Sequence, residues 1–284
     1  MKKRILIVPI AAMGMSIPAL AQCSNPNITC DQSPHTGRQV NISGATLSSN
    51  LGTTAVTILS DSGAAGVNGD VNVNDVVNWS ANKLTLNAQR NININANLNG
   101  SGTASLALEY GQGAVAAGNT GNYQLASNAR INLPSGLNFS TRLGSDGIAK
   151  AYTVINSLGI AGDISGATLQ GMNGNLAGNY ALGSDIDAAL TIGWNAGAGF
   201  APVGASTTQF TGNFDGLGHT VSNLVIDRPT TNDVGLFGYT ATGSTVRNLG
   251  LVNGNVSGKN SGGLIGQSWG AVSNSYFIGS VTGS

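Results

Sequence analysis

The chain has 284 residues, of which 42 are glycine; 41% are hydrophobic, 5% aromatic and 8% charged, and the formal net charge is zero. Ordinary globular domains carry about 25% charged residues, and so sparse a charge leaves no basic stripe for nucleic acid and no polybasic membrane patch. The hydrophobic fraction and its regular alternation argue against a disordered Gly/Ser-rich linker.

Lys2-Lys3-Arg4 is a positive n-region, Ile5 to Ile17 a short apolar h-region, and Ala19-Leu20-Ala21 an A-x-A cleavage site. Residues 1–21 therefore read as a secretory signal peptide cut between Ala21 and Gln22. The apolar run is too short to span a bilayer, and Gln22 stands before Cys23 where a lipoprotein signal has a small residue. Removing Lys2, Lys3 and Arg4 from the 12 basic residues leaves 9 against 12 acidic ones, a net of −3. Cys23 and Cys30 are the two cysteines, and both lie in the exported part. An oxidising compartment favours a disulfide between them; a metal pair is the weaker reading, because two thiols do not complete a zinc shell. Residues 22–40 are polar and irregular and read as an N-terminal cap or lead-in.

From residue 41 to 140 the strand period sets in. Val40-Asn-Ile42, Ala55 to Leu59, Val71-Asn-Val73, Leu84-Thr-Leu86, Ile92 to Leu98 and Leu106-Ala-Leu108 are short strand candidates. In Ile92-Asn-Ile-Asn-Ala-Asn-Leu98 every intervening residue is Asn, so one face is core and the other polar. Parallel stacking would set like residues above one another at about 4.8 Å and let the Asn side chains bond along the outer face. A last patch at Ile131-Asn-Leu133 closes this block. Residues 141–180 break the rhythm and read as a joint: Ile148 to Leu158 suits a strand or short helix, and Ala167 to Leu176 a helical turn.

Residues 181–284 restart the strands and carry a repeat. Val-x-Asn recurs at Val221, Val246 and Val272, 25 and 26 residues apart. Gly235-Leu236-Phe237-Gly238 recurs 28 residues on as Gly263-Leu264-Ile265-Gly266. Self-similarity at such a period marks units that cannot bury their apolar side alone and so stack. With short strands, Gly/Asn/Ser/Thr turns and no helix-length apolar pattern, the expected fold is all-β, a right-handed single-stranded parallel β-helix (β-solenoid). The chain stops just after a repeat, so an uncapped apolar end is expected there, as in the front piece of a longer protein.

These residues carry a resemblance. Gly263 to Gly266 with Asn274-Ser-Tyr-Phe-Ile-Gly-Ser-Val281 resembles the GLUG repeat of secreted bacterial surface proteins. Gly69-Asp-Val-Asn-Val-Asn-Asp-Val-Val-Asn-Trp-Ser80 with Leu84-Thr-Leu-Asn-Ala-Gln-Arg-Asn-Ile-Asn-Ile-Asn-Ala96 resembles the haemagglutinin repeats of filamentous-haemagglutinin-type two-partner-secretion exoproteins. The resemblance covers roughly residues 40 to 284. It implies an adhesin stalk outside a Gram-negative cell, host-cell or bacterial surface glycans or proteins as partners, and an outer-membrane transporter for export. One departure stands out: Asn25-Pro26-Asn27-Ile28 resembles the secretion-domain motif of that family, but it follows directly on the signal peptide.

Candidate chemistry is thin. The single glutamate is Glu109, while Asp185 and Asp187 point to one side of a strand, as a pair for glycoside acid–base work or calcium would. The stronger expectation is that they are solvated or cap turns. Asp70-Val-Asn-Val-Asn-Asp75 imitates a calcium loop but has Asp75 where the loop needs Gly and Ala81 where it needs Glu. His35 and His219 are isolated. Trp79, Trp194 and Trp269 suit core or edge packing better than sugar stacking. No P-loop, dinucleotide fingerprint or nucleophile elbow occurs, so neither a cofactor nor catalysis is expected; a polysaccharide-degrading β-helix enzyme is the rival, and a purely structural matrix or biofilm protein is a third reading.

Overall fold

The computed structural model describes residues 28–31, 39–60 and 69–283. The signal segment with the Ala21–Gln22 junction, Cys23, Asn25 to Asn27, His35 and the side chain of Cys30 lie outside the described residues, and with them the expected disulfide. The described chain is all-β in character, mostly short strands, and divides into two compact units, one ending with residues up to Pro134 plus Asn138–Ala151, the other formed by Ser135–Leu137 and the chain from Tyr152 onward. Among the described residues no helix is long and apolar enough to cross a membrane.

The first unit contains β1 (Ile28–Asp31), β2 (Gln39–Asn41), helix α1 (Gly44–Leu51), β3 (Val56–Leu59), β4 (Val71–Val73), β5 (Val77–Trp79), β6 (Lys83–Asn87), β7 (Ile92–Ile94), β8 (Leu98–Gly100), β9 (Ser105–Tyr110), β10 (Tyr123–Leu125), β11 (Ile131–Asn132) and most of β12 (Gly136–Leu143). Like residues stack in parallel register: Val71 on Ile92 on Tyr123, Val77 on Leu98 on Ile131, and Val56 on Leu84 on Leu106 on Phe139. Each block of sequence thus gives one strand to each of three sheets. The alternation in the sequence is the cause, since every one of these stacked side chains is at most 2% exposed, and burying each stabilises by about 1.5–3 kcal/mol.

The sheets are mixed rather than purely parallel. β1 runs antiparallel to both β2 and β4, so the edge of β4 is occupied by a strand of opposite sense. Helix α1 has no counterpart among the elements expected from the pattern of apolar residues. Ser43 caps it by accepting from the Thr46 amide at 3.1 Å, and Leu47 and Leu51, one turn apart, bury against β3 and β5. The Ser48 hydroxyl accepts from the Asn78 amide at 2.9 Å and Asp75 accepts from the Gly44 amide at 2.9 Å. The helix therefore satisfies the edge of β5. A Cβ on Gly44 would stand 2.1 Å from the Val76 carbonyl, which only glycine avoids.

The second unit contains most of β13 (Lys150–Ile155), β14 (Asn179–Leu182), β15 (Ile186–Asp187), β16 (Asn213–Asp215), β17 (Thr220–Ser222), β18 (Val225–Val234), β19 (Phe237–Thr240), β20 (Thr245–Arg247), β21 (Gly250–Ser261), β22 (Ile265–Ser268), β23 (Ala271–Ser273) and β24 (Tyr276–Gly283). The joint expected at 141–180 resolves into β13 within Ile148 to Leu158 and a 3-10 turn at Gln170–Gly174 within Ala167 to Leu176. Parallel register again joins successive blocks: Thr153–Tyr180–Phe214–Val246–Val272 in one sheet, Ile186–Val221–Leu251–Phe277 in a second, and Phe237–Ile265 in a third. The core is aromatic, with Phe237 between Phe210 and Phe214 at centroid distances of 5.0 and 5.3 Å.

The three Val-x-Asn cores do not form one column. Val246 and Val272 do stack, but Val221 stacks on Ile186 and Leu251 in a different sheet, and the residue beneath Val246 is Phe214. What the three share is a corner. Asn223, Asn248 and Asn274 all adopt positive φ, 59°, 55° and 47°, a conformation Asn tolerates better than other side chains. The motif encodes a strand that ends in a left-handed Asn, wherever that corner falls.

Candidate functional site

The Gly-Leu-(Phe/Ile)-Gly repeat is a packing device. Leu236 and Phe237 are fully buried, Leu264 and Ile265 pack partly buried on the same core, and Phe237 pairs with Ile265 as the 28-residue spacing predicts. The glycines admit close neighbours: a Cβ on Gly263 would stand 2.2 Å from the Phe277 ring and one on Gly238 2.4 Å from the Gly204 carbonyl. Gly235 and Gly266 are similarly crowded by strand backbone. No group in the repeat is left for chemistry.

The acidic candidates are occupied. Glu109 sits in register between Asn87 and Arg142; it accepts from the Asn87 side-chain Nδ2 at 2.6 Å and from Arg142 Nη2 at 2.7 Å. Asp185 accepts from the Thr220 amide at 2.9 Å and lies 3.3 Å from Nδ1 of His219, which is buried. Asp187 accepts from the Asn223 side chain at 2.9 Å and the Ala189 amide at 3.0 Å, and these bonds hold its carboxyl below its ordinary pKa. Both aspartates thus fasten turns. Glu109 belongs to the first unit and the aspartates to the second. Asp70 accepts from the Asn91 amide and Asp75 from those of Gly44 and Val76, so the calcium-loop mimic is spread over a strand and its flanks. Among the described residues no three His, Cys, Asp or Glu side chains gather as metal ligands.

Asp215 was not singled out by the sequence. It is 1% exposed and accepts from Arg247 Nε at 2.6 Å, the Asn248 side chain at 2.9 Å and the Leu217 amide at 3.0 Å. Register makes the pair, because Asp215 lies directly opposite Arg247 in the next strand. The signal was the Asp215-Gly-Leu-Gly turn together with an Arg one block later.

What repeats on the surface is the amide. Asn93 donates to Asn72 at 2.7 Å and Asn95 to Asn74 at 2.6 Å. Asn99 donates to Asn78 and Asn132 to Asn99, each at 2.7 Å. In the second unit Asn213 donates to Asn179 at 2.6 Å, and the Thr245 hydroxyl to Asn213 at 2.8 Å. The Asn78–Asn99–Asn132 column borders a shallow open cleft shared with Trp79, Ser80, Gly100 and Ser101. Of the tryptophans, Trp79 is 4% exposed, Trp194 stacks on Phe200 at 6.4 Å, and Trp269 is 61% exposed.

No protein-family profile matches the chain, and no solved structure does. Over 126 residues, 40% of this chain, the sequence is 44% identical to halomucin of Haloquadratum walsbyi. The aligned stretch is 1% of that protein's length, so the chain spans a very small part of the curated relative it matches.

Proposed function

We propose that the chain is an exported, non-catalytic stalk segment of a cell-surface adhesin, built as a right-handed single-stranded parallel β-helix. The observation that carries this reading is the in-register addition of one strand per sheet by each successive block of sequence. Backbone ladders and amide columns of that kind make a stiff surface from which many weak contacts sum to firm attachment. The signal-like N-terminus and the likeness to halomucin support a secreted or surface setting. The resemblance to filamentous-haemagglutinin exoproteins and their GLUG repeats supplies the adhesive role, surface glycans or proteins as partners, and an outer-membrane transporter for export. The engagement of Glu109, Asp185 and Asp187 with turns and neighbours weighs against the rival polysaccharide-degrading enzyme.

The test is small-angle scattering and circular dichroism of the chain from Gln22, with cell-binding of the same material. A β-rich particle much longer than wide that coats cells fits the proposal. A compact globule, or release of reducing sugar from polysaccharide, would refute it.

A further inference from the structure

We infer that the cleft along Asn78, Asn99 and Asn132 is a binding site for a neutral glycan laid across three successive strands. This inference rests on the surface-adhesin reading above and names the ligand chemistry for it. The column runs over β5, β8 and β11, whose register places the three amides one above the next, so they span roughly 10 Å over two strand spacings.

The amides are only half used. Each primary amide offers two N–H donors and an oxygen with two lone pairs. Along the column one donor of Asn99 and one of Asn132 go to the amide below. Among the described residues that leaves both Asn78 donors, the Asn132 oxygen, and a second donor on each of Asn99 and Asn132 for an outside group. An array of paired donors and acceptors, fixed by its own ladder, matches vicinal sugar hydroxyls, which donate and accept in the same way. The ladder also pre-organises the side chains, so little further rotamer freedom is lost on binding.

Two neighbours border the amides. Gly100 lies opposite Trp79 in the adjacent strand, and a Cβ there would reach within 3.0 Å of the buried Trp79 and Leu133 side chains, so glycine makes room for the indole packed under the column. The Trp79 side chain is 4% exposed, with its indole N–H buried, and it borders the cleft, so its resonance reports on the amide column beside it. Ser80 and Ser101 add exposed hydroxyls, and no charged side chain lines the cleft. The lining therefore favours an uncharged polymer over a sulfated or uronic one, whose anionic groups would find no cation there.

The test is nuclear magnetic resonance titration of the full chain with cellohexaose and chitohexaose, and with a heparin-derived hexasaccharide as the charged comparison. The Trp79 indole signal is assigned with Trp79→Phe. The neutral sugars are expected to bind at about millimolar strength, moving the Trp79 indole and the Asn78, Asn99 and Asn132 amide signals, while the heparin fragment leaves them in place. Ser80→Arg, which fills the cleft from an exposed position, is expected to weaken binding at least about tenfold. Asn213→Ala, which breaks a ladder of the same kind in the second unit, is expected to leave it unchanged. Absence of shifts up to about 10 mM neutral sugar, equal response to the heparin fragment, or equal loss in Asn213→Ala would overturn the assignment. Cell attachment that persists while these sugars fail to bind removes the cleft assignment alone; loss of both removes the adhesive reading as well.

Discussion

Replacing Asp215 with alanine tests whether the register of the second unit is fixed by its one deeply buried carboxylate. Asp215 is 1% exposed, whereas the Arg247 side chain is 18% exposed. Truncation would leave the guanidinium, the Asn248 amide and the Leu217 backbone N–H without the acceptor that all three share. Breaking a buried ion pair by removing one partner costs about 3–5 kcal/mol. Each neutral donor left unsatisfied adds about 1–3 kcal/mol when water cannot reach it. Water does reach Arg247 in part, so each contribution is taken at its lower end, about 3 kcal/mol for the ion pair and about 1 kcal/mol for each of the two neutral donors, and the expected total is about 5 kcal/mol. Asp215→Asn keeps an acceptor and loses the charge, and should cost about half as much. Urea denaturation of the chain from Gln22, followed by tryptophan fluorescence from Trp194 and Trp269 in this unit, measures both variants. Hydrogen exchange of the amides in β16 and β20 shows whether the loss is local. A loss below about 1 kcal/mol for Asp215→Ala, or equal losses for the two variants, would refute the reasoning.

Phe237→Ala should destabilise by about 3–5 kcal/mol by opening a cavity beside Phe210 and Phe214; a midpoint shift in the same urea experiment checks it. Asn253, exposed within β21 at φ 54°, should tolerate glycine with little change, whereas alanine should lose about 1 kcal/mol to left-handed strain. Gly263→Ala drives a methyl into the Phe277 ring, and exchange protection of the β24 amides should fall. Asp163 is held below its ordinary pKa of 3.8 first by the Thr168 hydroxyl and then by the Ser165 amide. A depressed folded pKa contributes stability above 3.8 that is lost as pH falls through the lower folded value. Protection of the loop around Asp163 should therefore exceed that of Asp163→Asn at pH 7 and match it once the carboxyl is protonated, with the carboxyl titration followed by carbon resonance.

The strands were legible because burial alternates where the letters alternate: Ile92, Ile94 and Leu98 are fully buried while the asparagines between them face out. The Asn ladders followed from the same pattern once parallel register was assumed. Three features escaped. Helix α1 has one apolar pair, Leu47 and Leu51, in a Ser/Thr-rich stretch, and its stability comes from β3 and β5 rather than from its own sequence. The alignment of Val221 with Val246 and Val272 failed because Val-x-Asn encodes the left-handed corner, and a chain with several corners per block reuses the same local signal on different sheets. Asp215 was hidden for a related reason, since its partner is 32 positions away and only register brings them together.

The unequal block lengths of the first unit bear on how such a chain changes over generations. From β7 to β10 the spacing is 31 residues, where from β4 to β7 it is 21. Yet Tyr123 continues the apolar stack above Ile92, and on the neighbouring sheet Asn132 extends the amide column begun by Asn78. Ten residues have been accommodated between strands without disturbing what lies above or below. Length variation is thereby confined to the margins, where loop closure depends only weakly on chain length, while substitutions in the stacked columns are judged against two neighbours at once. Selection can lengthen and rewrite the turns of such a chain freely, and it must revise the columns several residues at a time.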